Sequence, residues 1–242
     1  MTNPRTLSIV IPVYNEEKYI QKTINRVLKA NSLGLKKEII VIDDGSTDST
    51  PKILNKSKNK YKSERLIVVL KKKNEGKGAA LKTGFSKTTG DIVLVQDADL
   101  EYNPSDYPLL LTPFLSEGAD VVYGSRLVTG APHRVLYFWH YVVNKLLTSL
   151  SNALTNLNLT DMETGFKVFR GDLIRKLAPK LKSKRFGFEP EITARIAKEE
   201  GLRIYEVGIS YSGRTYEEGK KIGWIDGLRA VGELIYFNLL SN

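Results

Sequence analysis

Asp97, Asp99 and Glu101 alternate with other residues directly after the strand-like run Asp91–Gln96. If the chain stays extended there, the three carboxylates share one side. Like charges so placed repel one another unless a cation sits among them. A hard divalent ion that also bridges to substrate phosphates is the natural occupant, which makes Mg²⁺ or Mn²⁺ the expected metal. A second acidic pair, Asp43-Asp44, opens the turn Asp43-Asp44-Gly45-Ser46 after another strand-like run. Asp44 is suited to accept a hydrogen bond from a nucleobase or ribose, and the same turn can cap the following helix. The loop Asn74-Glu75-Gly76-Lys77-Gly78 follows the basic run Lys71-Lys72-Lys73 and opens a helix. Backbone amides at such a helix start, with Lys77, suit a diphosphate, although the P-loop spacing is absent.

Composition narrows the chemistry further. The 242 residues include no cysteine, which excludes disulfides, Cys zinc sites, iron–sulfur clusters and a Cys nucleophile. Two histidines, His133 and His140, cannot build a His-rich metal site. Apolar residues make up 41% of the chain, enough for a folded core. The formal net charge is +10 and the pI is near 9.5, which invites an acidic partner: nucleic acid, an anionic membrane or a phosphorylated substrate. The Lys and Arg residues are dispersed and no nucleic-acid module is recognisable, so no nucleic-acid partner is expected. No apolar run is long enough to span a bilayer and no signal peptide is evident, which predicts a cytoplasmic location.

The elements that must position these residues alternate. Leu7–Val13, Glu38–Ile42, Leu66–Leu70, Asp91–Gln96 and Ala119–Tyr123 read as strands. Between them, Glu16–Ala30, a segment from Thr50, Gly78–Thr88 and a segment from Pro104 to Ser116 read as helices. That order predicts an α/β fold with a doubly wound, mostly parallel sheet, its ligands at the carboxyl ends of the strands. Beyond Arg126 the pattern changes to a long aromatic-rich stretch over 133–158. It continues with a strand at Phe166–Phe169, helices near 172–177 and 189–200, a strand at 203–210 and a terminal helix at 224–240. No linker or repeat interrupts the chain. One domain over 1–242 is expected, with a nucleotide-binding half at 1–126 and an acceptor-side half at 127–242.

Taken together, Ile9–Glu16, Val41–Asp48, Asn74–Ala79, Asp97-Ala98-Asp99 and Gly124-Ser125-Arg126 resemble the family 2 glycosyltransferases of GT-A fold. Asp161–Phe169, Phe186–Glu189 and Gly213-Arg214-Thr215 are similar to the branch that contains the dolichyl-phosphate mannose and glucose synthases. The resemblance covers nearly the whole chain. It implies that Pro12, Tyr14, Glu16 and Asp44 cradle the nucleotide of a sugar-nucleotide donor. Asp97, Asp99 and Glu101 match the metal and diphosphate positions; some relatives carry Gln where Glu101 stands. Ser125, Arg126 and Arg214 match contacts to an acceptor phosphate. Where a synthase of this branch has a further phosphate-binding Arg, this chain has His140, and Asn144 stands where that synthase has Ser.

The resemblance implies inverting, metal-dependent transfer of mannose or glucose from a GDP- or UDP-sugar to a polyprenyl or dolichyl phosphate. Such a phosphate is already anionic and needs cationic clamps. A hydroxyl acceptor on a saccharide, the alternative, needs a base, for which Asp161 and Glu163 are the candidates. The stretch Val135–Leu150 carries Leu136, Tyr137, Phe138, Trp139, Tyr141, Val142, Val143, Leu146 and Leu147. It is either a buried helix or an interfacial one, and the second reading makes the protein peripheral at the cytoplasmic face of a membrane. Lys180, Lys182, Lys184 and Arg185 could face anionic lipid in that case.

Overall fold

A computed structural model describes residues 4–61, 65–128, 134–135, 137–185, 187–214 and 224–241. His133, Leu136, Phe186 and Thr215, singled out from the sequence, lie outside the described residues, as does the remainder of the 215–223 loop.

The first half is built as the alternation predicts. Strands β1 (Thr6–Val13), β2 (Lys36–Asp43), β3 (Leu66–Leu70) and β4 (Ile92–Val95) pair in parallel in the order β3-β2-β1-β4. Helices α1 (Ile20–Lys29), α2 (Thr50–Lys60) and α3 (Lys77–Phe85) make the crossovers. After α4 (Tyr107–Ser116) come β5 (Val121–Ser125), α5 (Phe138–Thr155) and β6 (Lys167–Arg170). The chain then forms α6 (Gly171–Leu177), α7 (Phe188–Ala197), β7 (Ile204–Gly208) and α8 (Trp224–Ile235), ending in a π-helical turn over Tyr236–Leu240. Strand β6 enters between β4 and β5, antiparallel to both, so the seven-stranded sheet is mixed and runs β3-β2-β1-β4-β6-β5-β7.

Side chains alternate across the sheet with period two. Leu7, Ile9, Ile11 and Val13 of β1 pack with α1 and α4, as do Ile92 and Leu94 of β4. Val10, Val93 and Val95 face the other way, toward α3, α5, α6, α7 and α8. Both faces are therefore covered, which explains the near-continuous apolar strands. β1 and β4 are neighbours whose onward connections run in opposite directions along the sheet, to β2 and to β5, and a crevice opens between their carboxyl ends. The β4 register spans only Leu7–Val10 of β1, so Pro12 falls where β1 has a strand on one side only.

Helix α5 is divided between core and surface. Its C-terminal half is core: Leu147, Thr148 and Ser151 are buried. Its N-terminal half is exposed, with Phe138 at 66%, Trp139 at 73% and Leu146 at 65% relative exposure. No helix among the described residues is long and apolar enough to cross a membrane.

Candidate active site

At the crevice, β1 delivers Tyr14 and Glu16, and β2 delivers Asp44. Tyr14 is exposed; Glu16 is buried and receives Arg214 Nη1 at 3.6 Å. Pro12 is buried within β1. Asp44 is committed inside the protein: Lys71 Nζ lies 2.5 Å from Oδ1, and the amides of Glu75 and Gly76 donate to Oδ2 at 3.0 and 2.6 Å. Its carboxylate thus ties the Gly-rich loop to the end of β2.

That loop departs from the sequence reading. The amides of Gly78 and Ala79, expected to meet a diphosphate, donate instead to the carbonyls of Arg185 and Lys184. A Cβ at Gly76, whose φ is +101°, would stand 2.3 Å from the Lys184 carbonyl oxygen. Segment 184–185 therefore lies directly against the start of α3, and those amides are spent. Lys77 remains, but its Nζ bridges Asp97 (Oδ1 at 3.0 Å) and Glu189 (Oε1 at 3.0 Å).

The acidic trio does not run extended. Leu100 has φ +66°, and the Glu101 amide donates to Asp99 Oδ1 at 3.2 Å, so the chain turns after Ala98. The turn separates the carboxylates between two cations. Asp97 meets Lys77, whereas Asp99 and Glu101 meet Arg214 at 3.0 and 3.4 Å. Among the described residues no three acidic side chains are gathered around a single point where an ion would sit. Burial and the charges of Asp97 and Glu101 nevertheless push the Asp99 carboxyl up to about 7. The trio is hard-oxygen in chemistry and has an excess of negative charge that Arg214 offsets, so the donor set fits Mg²⁺ or Mn²⁺.

Arg214 thus stands beside the acidic trio and pairs with Asp99 and Glu101. Arg126 forms a separate, buried fork with Asp161: Nε to Oδ2 and Nη2 to Oδ1, both at 2.7 Å, with the Arg126 amide adding a third bond at 3.0 Å. Burial works against the Asp161 charge, but Arg126 and these hydrogen bonds hold its carboxyl below the usual range. Asn144 donates from Nδ2 to the same carboxylate at 3.0 Å, and His140 stands one turn earlier on α5. Ser125 is completely buried. Its hydroxyl meets Thr160 Oγ1 at 2.6 Å and accepts from the Leu127 and Val128 amides, so it shapes the turn and is withdrawn from any ligand.

Tyr102 and Tyr211 join the two halves. Their rings are 5.2 Å apart; Tyr211 donates to Glu101 Oε2 at 2.7 Å, and the Arg126 guanidinium lies 5.2 Å from the Tyr211 ring centre. Sequence reasoning assigned neither tyrosine, because an aromatic beside a carboxylate has no spacing signature. Glu189 was visible only as part of the Phe186–Glu189 resemblance. Gly165, within Asp161–Gly165, is the residue against which Asp97 is seated. Behind it lie Lys167, which donates to the Met162 and Thr164 carbonyls, and Glu163. Burial lowers the Lys167 ammonium to about 8; burial and the nearby Glu189 raise the Glu163 carboxyl to about 8.

Known proteins share this architecture. A glucosyl-3-phosphoglycerate synthase from Mycobacterium tuberculosis, solved with Mn²⁺, UDP and glucosyl-3-phosphoglycerate, superposes with a TM-score of 0.71 at 23% identity. The match covers 98% of this chain and 81% of that one, and it identifies the fold as GT-A. An uncharacterized protein of Methanocaldococcus jannaschii is 29% identical over 96% of this chain and 92% of its own length. An undecaprenyl-phosphate 4-deoxy-4-formamido-L-arabinose transferase of Proteus mirabilis is 28% identical; this chain spans 62% of its length, with 88% of this chain aligned. Residues 8–178 match the sequence model of glycosyl transferase family 2, and the chain belongs to that family.

Proposed function

We propose that the protein transfers a hexose, mannose or glucose, from a UDP- or GDP-sugar to a polyprenyl phosphate, with inversion at the anomeric carbon. The observation that carries this reading is the state of Arg126. Asp161 occupies its Nε and Nη2, while Nη1 makes no hydrogen bond among the described residues and the side chain keeps 14% of its surface exposed. A fixed guanidinium with one edge free is suited to an anionic oxygen. It lies beside α5, whose first turns present Phe138 and Trp139 outward, so a phosphate on a long apolar tail could meet charge and apolar surface together. The Proteus relative, named for an undecaprenyl phosphate, supports the same acceptor class.

On the donor side, Tyr14 and Glu16 would line the nucleotide site, Asp44 would shape it through the Gly-rich loop it holds, and Lys77 would meet the diphosphate. Asp97, Asp99 and Glu101 would hold the Mg²⁺ or Mn²⁺, which when bound neutralises charge on the leaving diphosphate. An acceptor phosphate oxygen attacks the sugar C1. The bond from C1 to the β-phosphate oxygen breaks, and its electron pair leaves with the nucleoside diphosphate. The attacking oxygen is already anionic near neutral pH, so no base is required; Arg126 holds it, with His140 and Asn144 alongside. Phe138, Trp139 and Leu146, with the basic residues Lys182, Lys184 and Arg185, suit a peripheral position on an anionic membrane.

A donor screen tests this reading: UDP-glucose, GDP-mannose and their epimers with Mn²⁺, each offered a short polyprenyl phosphate or a set of free saccharides. Transfer to the lipid phosphate is expected. Transfer to saccharide hydroxyls alone would replace it with the hydroxyl-acceptor activity.

A further inference from the structure

Glu163 has no role in the transfer just described, yet its surroundings are unusual. Its Oε1 is sealed from solvent and has no hydrogen-bond partner, while the residue as a whole remains partly open. Buried carboxylate oxygens are ordinarily satisfied, and an orphan of this kind calls for an explanation. A second orphan acceptor, Asn144 Oδ1, occurs beside Asp161, whose carboxylate accepts from the Asn144 amide. Two acceptors therefore lack donors around one ion pair.

The position of Glu163 says which ligand could supply them. The charged groups that act on it are Glu189, Lys167, Arg126 and Asp161. Glu189 is tied through Lys77 to Asp97, which the proposed function assigns to the metal and donor diphosphate. Arg126 is the cation facing the acceptor. Glu163 sits in the loop between Asp161, which pairs with Arg126, and Gly165, against which Asp97 is seated, so under the proposed function it borders the path of the transferred ring. Lys167 donates to the Met162 and Thr164 carbonyls and Arg126 to Asp161, and neither makes a hydrogen bond to the orphan Oε1 of Glu163. A further cation there would add to two that are present, whereas a neutral hydroxyl supplies a proton without charge.

We propose that Glu163 is a specificity-determining residue that binds a ring hydroxyl of the donor's sugar. The proposal rests on the reading of the protein as a nucleotide-sugar transferase, but not on the identity of the acceptor. It also explains why an acidic residue persists at a site that disfavours its charge: the hydrogen bond to the sugar restores what burial removes.

Binding measurements isolate it. Affinities of wild type, Glu163→Ala and Glu163→Gln are measured by calorimetry for UDP and GDP, for UDP-glucose and GDP-mannose, and for the 2-, 3-, 4- and 6-deoxy analogues of each sugar. In wild type, one deoxy analogue is expected to bind roughly 10- to 100-fold more weakly than its parent, the range for a hydrogen bond to a charged or buried partner. In Glu163→Ala that difference should shrink to within about threefold, while UDP and GDP affinities stay near wild type. Glu163→Gln, which keeps an acceptor, should fall between. Unchanged discrimination in the folded variants, or an equal loss for nucleotide and nucleotide sugar, overturns the assignment; so does a wild type that does not distinguish the analogues. If discrimination disappears in Glu163→Ala but no polyprenyl phosphate is glycosylated by wild type, the acceptor reading fails and the role of Glu163 stands.

Discussion

The Asp97 carboxylate is seated against the α-carbon of Gly165: a methyl group there would stand 2.3 Å from Asp97 Oδ2 and 2.8 Å from the Tyr102 ring. The same glycine donates its amide to the Tyr102 hydroxyl at 2.7 Å. The strand end that presents the first carboxylate and the turn before β6 are therefore fitted to each other at a point where only glycine leaves room. Gly165→Ala must displace Asp97 or Tyr102. The expected outcome is at least a roughly tenfold loss of kcat/KM and a stability cost of about 1–3 kcal/mol, the range for overpacking a filled interior. Steady-state rates alongside denaturant melts check it; an active Gly165→Ala would mean that Asp97 can move without consequence.

Arg214 offsets Asp99 and Glu101 and also approaches Glu16. A divalent ion placed among those carboxylates has to compete with the guanidinium. Arg214→Met keeps much of the side chain's length without its charge. It should raise Mn²⁺ affinity several-fold in the absence of substrate, while lowering turnover because the loop loses its anchor. Calorimetric titration of Mn²⁺ into both proteins decides this. Weaker Mn²⁺ binding by Arg214→Met would show instead that Arg214 organises the carboxylates for the ion.

Much of this was legible from spacing. Apolar runs and amphipathic segments located the strands of the sheet and the crossover helices, because strands covered on both faces leave an unbroken apolar signature. Spacing singled out the acidic trio as candidate site residues, and the family resemblance added Arg126. Their partners were not legible. Period-two reasoning assumed an extended chain after β4, but Leu100 adopts a left-handed conformation and separates Asp97 from Asp99 and Glu101. The pairing of Arg214 with that trio, and of Arg126 with Asp161, spans 115 and 35 residues and depends on how β5, β6 and β7 join the sheet. The occupation of the α3 amides by residues 184 and 185 is likewise a tertiary fact with no local sign.

Phe138, Trp139 and Leu146 contribute little to the core because most of their surface is exposed. Replacing all three by Ser should change stability by less than about 1 kcal/mol. Binding to vesicles containing anionic lipid should fall roughly tenfold or more, since each lost side chain removes apolar area that would otherwise enter the interface. Charge reversal at Lys182, Lys184 and Arg185 should weaken binding to anionic vesicles and leave binding to neutral ones unchanged. Flotation with both vesicle types reads the two effects separately. Wild-type protein that floats with neither would remove the membrane from the proposed function.

The Glu163 carboxyl gives a prediction on stability that is independent of catalysis. Its ordinary value is 4.5, and in the folded protein burial and Glu189 raise it to about 8. Between those values the folded chain holds a proton that the unfolded chain has released. The unfolded state binds fewer protons, so stability falls as pH rises through this window; below about 4.5 both states are protonated and the penalty vanishes. Lys167 also titrates near 8 in the folded state and Asp99 near 7, but both are common to wild type and variant, so between pH 5 and 7.5 the difference between the two proteins reports Glu163. Glu163→Gln removes the ionisation and keeps the shape. It should be close to wild type in stability at pH 5 and more stable by at least about 1 kcal/mol at pH 7.5, since a tenfold difference in proton affinity between the folded and unfolded states is worth about 1.4 kcal/mol. Urea denaturation of both proteins across this interval measures the difference. A constant gap between them from pH 5 to 7.5 would mean that Glu163 is ionised in the folded protein throughout, with a charge partner strong enough to offset its burial.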